Sequence, residues 1–196
     1  MPIENAPAGD FDAVDEFWFA HEHAARAYFM AASFQDFWQQ HCAPMLCQAP
    51  LSLSGRPRLL WCHEASPARH DPVKIITLPA RRNGMSWEAF SHHWIDVHSE
   101  LALAGPGTKG RLLRLEPCPA DRSGVTRFPG APFDGVGTIE FADADDLRAE
   151  FESGYYRDVM APDELRFTNP EASCAVKVES FEVDSIRRAR VWQNEP

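Results

Sequence analysis

Hydrophobic and polar positions alternate in several short stretches, and each stretch leads into or follows a helical pattern. Val73–Leu78 (VKIITL) is compact and rich in β-branched residues, which predicts a strand. Residues 81–86 (RRNGMS) form a turn closing on Ser86, a good helix N-cap. From Trp87 to about Leu103 the apolar residues recur at helical spacing, and Pro106-Gly107 ends the run. Residues 110–116 (GRLLRLE) predict a second strand. Residues 117–132, rich in Pro, Gly and polar side chains, predict a long loop. Val136, Thr138 and Glu140 then alternate with Ile139 and Phe141, a third strand, followed by an amphipathic helix and a last strand near residues 175–183.

The N-terminal part repeats the second half of this pattern. Aligned without a gap from Phe11 and from Phe133, the two 26-residue stretches are identical at 9 positions, among them Val14 with Val136, Phe19 with Phe141, Arg26 with Arg148 and Asp36 with Asp158. In the first copy Val14, Glu16 and Trp18 alternate with Phe17 and Phe19, a helical stretch follows, and a short strand is expected near residues 57–62. The expected organisation is a half-repeat, β-α-β, over residues 1–64, a linker at 65–71, a complete β-α-β-β-α-β unit over 72–184, and a tail at 185–196. The complete unit is the α+β, ferredoxin-like split βαβ arrangement. The half-repeat has two explanations: a truncated opening, or a half-unit that packs on the complete one and supplies strands to it.

Composition narrows the function classes. Nineteen Lys and Arg against 29 Asp and Glu give a formal net charge of −10, which argues against a general nucleic-acid binder. No apolar stretch reaches the roughly 18 residues of a membrane span, and no signal-peptide pattern opens the chain, so a cytoplasmic protein is expected. The five cysteines form no CxxC pair and suit reduced thiols. There is no P-loop, GxGxxG or GxSxG motif.

Candidate chemistry centres on the helix after Ser86. Phe90, Trp94, Val97, His98 and Leu101 share one apolar stripe, so His98 is an imidazole on a buried face. It is either a core histidine tied to a partner or an acid/base beside a pocket. The histidines of HHWIDVH do not suit a metal: on a regular α-helix His93 and His98 stand about 140° apart and His92 and His98 about 120°. Chelation from one helix wants i, i+4 spacing, so no metal site is expected.

RRNGMSWEAFSHHWIDVHSELA followed by Pro106-Gly107 resembles the EthD family, whose members carry a basic-x-x-Gly-Met-Ser turn and then a helix with a Trp and, four residues on, a His. The residues that carry the resemblance are Arg81, Arg82, Gly84, Met85, Ser86, Phe90, Trp94, His98, Pro106 and Gly107. The stretches FDGVGTIEFADADDLRAEF and DELRFTNPEAS are also similar to that family. The resemblance implies a dimeric α+β barrel and cofactor-free acid/base chemistry of the kind found in polyketide cyclases and methylmuconolactone methylisomerases, in which the histidine matching His98 often takes part. It also brings a link to ether-degrading oxidation and an occasional oxidoreductase label. Two positions depart from the pattern: Ser99-Glu100 stands where the family commonly has Gly-Pro, and Arg111 where relatives often have Tyr.

Two readings follow. In the first, the protein is a lyase, cyclase or isomerase without cofactor or metal, acting on a small aromatic, polyketide-like or lactone compound. His98 is the acid/base, Arg111 clamps an oxyanion, and Phe90 and Trp94 bind the substrate. In the second, it is a non-catalytic accessory or ligand-binding protein. An enclosed pocket holding His98 and Arg111 favours the first; a filled interior favours the second. A homodimer is expected in either case, since a half-repeat leaves sheet edges and an apolar face uncovered.

Overall fold

The computed structural model describes residues 13–63, 72–121 and 124–179. Phe11, the linker at 65–71, the end of the last expected strand and the tail at 185–196 lie outside them. The described chain begins with α1 (Glu22–Met30) and α2 (Ala32–Phe37), the latter continuing through a π-helical turn at Trp38–Cys42. A two-residue strand, β1 (Trp61–Cys62), closes this half. The second half runs β2 (Val73–Leu78), α3 (87–104), a helical turn α4 (Thr108–Arg111), β3 (Leu112–Pro119), β4 (Gly135–Phe141), α5 (Ala144–Phe151), α6 (156–167) and β5 (Cys174–Val178). All pairings are antiparallel, in the order β1-β3-β4-β2-β5. Without β1 this is the ferredoxin-like order: each β-α-β crossover returns its second strand one place over, and the two crossovers interlock.

Ser86 caps α3 as its sequence position predicts, its hydroxyl accepting from the Ala89 N–H at 3.1 Å. Asp143 caps α5 by accepting from the Asp146 N–H at 2.8 Å. At the equivalent position of the first copy His21 does the same work for α1, through Nδ1 and the Ala24 N–H at 3.1 Å. α1 and α5 thus start at corresponding positions of the two aligned stretches.

The strands do not match so well. Residues 13–19, expected as a strand, form no strand or helix. In the second copy β4 takes its hydrogen bonds from β2 on one side and β3 on the other. No such pair of strands flanks 13–19 among the described residues, so an alternating pattern alone leaves the segment unpaired. The expected β-α-β half-repeat is corrected to a segment without regular structure, two helices and a short strand. The described sheet has five strands, not six. Residues 110 and 111, assigned to a strand by pattern, instead end α4. Gly107, at φ 80°, starts that turn in the left-handed region that suits glycine.

The half-unit nonetheless adds to the sheet of the complete one. The Arg58, Leu60 and His63 N–H groups donate to the Pro117, Leu115 and Leu113 carbonyls at 2.9, 3.0 and 3.0 Å. Leu53 packs against Ile76, Leu78 and Phe133 on the sheet face turned away from α3 and α6. The other face carries Val73, Ile75, Leu112 and Phe141 under the helices.

Candidate active site

Helix α3 is not a regular α-helix. Between α-helical turns at Trp87–His92 and Ser99–Ala104, residues His93–His98 form a π turn. The Ser99 N–H reaches back to the Trp94 carbonyl, and the buried Ser99 hydroxyl donates to the same oxygen at 2.8 Å. A π turn holds one residue more than an α turn, so positions five apart stack as positions four apart do elsewhere. His93 and His98, separated by 140° on a regular wheel, therefore face one partner. The Asp163 carboxylate lies 2.9 Å from His98 Nδ1 and 3.1 Å from His93 Nε2. Asp163 comes from α6, itself a π turn at Tyr156–Met160 followed by α-helix at Ala161–Phe167.

An ionised carboxylate only accepts, so each of these imidazole nitrogens carries the hydrogen. Burial outweighs the attraction of Asp163 and holds the His98 imidazole below its ordinary value, so it is neutral at neutral pH. For Asp163, burial pushes upward, but the two imidazole hydrogen bonds overcome it and keep the carboxyl below the usual carboxylate range. His98 then carries its hydrogen on Nδ1 and a lone pair on Nε2. No hydrogen bond to Nε2 forms among the described residues. Phe167 packs on both rings, 5.0 Å from His93 and 4.9 Å from His98.

His98 lines a cavity of about 230 Å³ between the sheet and helices α3, α5 and α6. The floor is two cross-strand rows: Leu115, Ile139 and Ile75, then Pro117, Gly137, Thr77 and Ala175. Trp94 lies over the glycines of β4. A Cβ on Gly135 would sit 2.4 Å from the Trp94 ring, and one on Gly137 3.1 Å from it. Phe141, Phe151, Met160 and Phe167 complete the apolar wall.

Besides His98, four ionisable side chains line the cavity. Glu150 is fully engaged: Thr108 Oγ1 donates to Oε1 at 2.7 Å, and Arg111 Nε and Nη2 donate to Oε2 at 2.8 and 2.6 Å. Tyr156 donates its hydroxyl to Glu164 Oε1 at 3.0 Å. Burial raises the Glu164 carboxyl and the Tyr156 phenol above their ordinary values, so both hold their protons more tightly. Burial also raises the Cys174 thiol, which is no thiolate nucleophile at neutral pH.

The four residues picked from sequence separate here. His98 and Trp94 line the cavity. Phe90 is fully buried behind it, packed on Trp94 and Phe167. Arg111 does not line the cavity, and its guanidinium is spent on Glu150 and the Pro106 carbonyl. Sequence reasoning missed Asp163, Glu164 and Tyr156. The one signal available was a pair of adjacent acids opening an amphipathic helix, a pattern that ordinarily reads as an N-terminal turn favouring negative charge. Among the described residues no group of His, Cys, Asp and Glu is arranged to hold a metal ion, and no helix is long and apolar enough to cross a membrane.

Residues 82–171, which contain His93, Trp94, His98, Glu150, Tyr156, Asp163 and Glu164, match the family model of the EthD domain. This stretch is similar to the EthD domain over just under half of the chain. No curated protein matches it significantly. Among solved structures, it is similar to an ethyl tert-butyl ether degradation (EthD) family protein from Bacillus halodurans, at 17% identity over 56% of this chain and 99% of that one, TM-score 0.44. A dimeric protein of unknown function with a ferredoxin-like fold from Bacteroides fragilis aligns at 16% identity over 56% of this chain and 96% of that one, TM-score 0.41. A proposed monooxygenase from Fusobacterium nucleatum aligns at 8% identity over 78% of this chain, TM-score 0.50, and this chain spans 61% of its length. At 8% identity this last likeness is one of fold alone. The matched stretch lies within an α+β, ferredoxin-like unit.

Proposed function

We propose that this protein is an acid/base enzyme of the lyase, cyclase or isomerase kind, needing no cofactor, with His98 as its general base. The observation that carries the reading is the His98 imidazole in the cavity wall. Asp163 fixes its Nδ1–H, and Nε2 has no hydrogen-bond partner among the described residues. A carboxylate on one nitrogen of a neutral imidazole sets the tautomer and stabilises the imidazolium that forms when the other nitrogen takes a proton. His93 holds the second side of Asp163, so the carboxylate cannot swing away from His98.

The cavity limits the substrate. Empty apolar cavities of about 150 Å³ admit benzene, and drug-sized ligands fill about 300 Å³ or more. At about 230 Å³, this one suits a single six-membered ring with small substituents. Such a compound could be aromatic, or a lactone or cyclic ketone. Trp94, rather than Phe90, supplies the aromatic contact. Arg111 holds Glu150 in place and does not meet the ligand.

A thermal-shift screen of one-ring aromatics and lactones tests the reading. Binders should raise the melting temperature of wild type and lose most of that effect in Trp94→Ala and His98→Gln. Equal stabilisation of all three proteins would overturn it. We further propose a cytoplasmic homodimer. It is supported by the exposed apolar side chains of the N-terminal half, Phe17, Trp18, Phe37 and Met45 among them. A monomer by light scattering at micromolar concentration would overturn that.

A further inference from the structure

The cavity holds a second group whose chemistry the base alone leaves unused. Glu164 follows Asp163 directly on α6, and its carboxyl reaches the same cavity that His98 lines. One oxygen, Oε1, accepts from Tyr156. The other, Oε2, has no hydrogen bond among the described residues. Among the described residues the cavity therefore presents two polar atoms without hydrogen-bond partners on otherwise committed side chains: His98 Nε2 and Glu164 Oε2. Glu150, the other carboxylate in the wall, has both oxygens taken. The Tyr156 ring is fixed in turn by edge-on packing against Phe151 at 4.7 Å.

Resting on the acid/base reading above, we propose that Glu164, oriented by Tyr156, is the acid partner of His98: its carboxyl donates to the carbonyl oxygen of an enolisable cyclic ketone or lactone whose α-carbon lies at His98 Nε2. His98 takes a proton from that carbon, breaking C–H and forming N–H. The electron pair moves into the C–C bond as the carbonyl becomes an enol, which receives its O–H proton from Glu164. The Glu164 carboxylate so formed keeps the Tyr156 hydrogen bond, which stabilises it. Where the ring also holds a β,γ double bond the enol is a dienol, and returning the proton from His98 to its γ-carbon and the enol proton to Glu164 completes an isomerisation. Returning it to the same carbon completes an exchange. Neither consumes a co-reactant. The direction of the Glu164 shift supports the assignment: burial and the neighbouring Asp163 charge favour its protonated form against the opposing pull of Tyr156.

Cyclohexanone and its isostere methylenecyclohexane test this on the full chain. The ketone oxygen only accepts, so a preference for the ketone needs a donor in the wall. Wild type should bind cyclohexanone about five- to tenfold more tightly, the value of one hydrogen bond. Glu164→Gln, which keeps an N–H donor, should retain the preference, and Glu164→Leu should erase it. In wild type the preference should fade as pH rises through the titration of Glu164, a measurement that needs no variant. Tyr156→Phe removes a bond to the ionised form and should move that midpoint upward. Proton exchange at the α-carbon in D2O, read by NMR, should be accelerated by wild type and fall by about 10²–10⁴ in Glu164→Gln and in His98→Gln. Absence of a ketone preference, or one that survives Glu164→Leu, would overturn the Glu164 proposal. Exchange that survives His98→Gln while the preference stands would instead overturn His98 as base. Failure of both rings to bind would overturn the cavity reading beneath them.

Discussion

Replacing Asp163 by alanine would leave two imidazole N–H groups pointing at an empty space. The wild-type carboxylate is buried, at 3% side-chain exposure, with His98 at 14% and His93 at 20%. An unsatisfied buried donor costs about 1–3 kcal/mol. His98, sealed by Phe167 and the cavity wall, should sit at the upper end, and His93, which can turn to water, at the lower. Part of the sum, about 1 kcal/mol, returns because the buried carboxylate itself was costly to desolvate. The net loss for Asp163→Ala is then about 3 kcal/mol, a fall in melting temperature of about 6–12 °C for a chain of this length. Asp163→Asn should cost only about 1 kcal/mol, because the amide oxygen still accepts from one imidazole. Its NH2 group, however, faces the other ring nitrogen and forces that ring to change tautomer. Urea unfolding followed by tryptophan fluorescence measures the first effect. Long-range imidazole nitrogen–proton NMR spectra measure the second and should show His98 carrying its hydrogen on Nδ1 in wild type. A loss under about 1 kcal/mol for Asp163→Ala, or an unprotonated Nδ1 in wild type, would refute the argument.

Arg111→Met strips Glu150 of its cation and should destabilise the fold by about 3 kcal/mol, with the double variant Arg111→Met/Glu150→Met recovering most of the loss in urea titrations. Protonating the buried His98 costs stability: the unfolded chain binds that proton at the ordinary value of 6.5 and the folded chain only at lower pH, so stability falls with pH between the two. His98→Gln should therefore show a shallower decline of its urea midpoint than wild type between about pH 7 and about pH 5. Gly135→Ala would place a Cβ 2.4 Å from the Trp94 ring and 2.8 Å from the Cys118 carbonyl. It should cost about 1–3 kcal/mol and shift tryptophan emission as the ring is displaced. Deleting residues 1–64 uncovers the outer edge of β3 and the Ile76 side of the sheet, and it should give aggregated protein on size-exclusion chromatography.

The strands and helices of the complete unit were legible because each carries its own signal. Val73–Leu78 has a buried β-branched run, Ser86 a cap, and Pro106-Gly107 a stop. The half-repeat was legible only as helices. Whether residues 13–19 pair depends on neighbours that lie elsewhere in the chain, and alternation cannot report those. Arg111 was misplaced for a similar reason. Its value as an anion clamp was read from its chemistry alone, while its partner Glu150 sits 39 residues away and claims it first.

The misjudged angle between His93 and His98 shows why the site was harder to read than the fold. Wheel arithmetic assumes a uniform α-helix and places the two rings on different faces, so any shared partner is ruled out before it is sought. The π turn breaks that assumption, and what holds it open is chemically visible. Ser99 is buried at 2% exposure, and its hydroxyl and N–H both reach the Trp94 carbonyl, where an α-helix would offer the N–H the carbonyl of Ile95. A buried serine on a helix, one residue past a histidine, has little other reason to be there. The widened turn brings His93 and His98 onto Asp163, and Asp163 places Glu164 one residue further along the cavity wall. The pairing of the base with its orienting carboxylate thus depends on one extra residue in one turn of α3. An insertion or deletion between His93 and His98 would dismantle the site while leaving every strand in register.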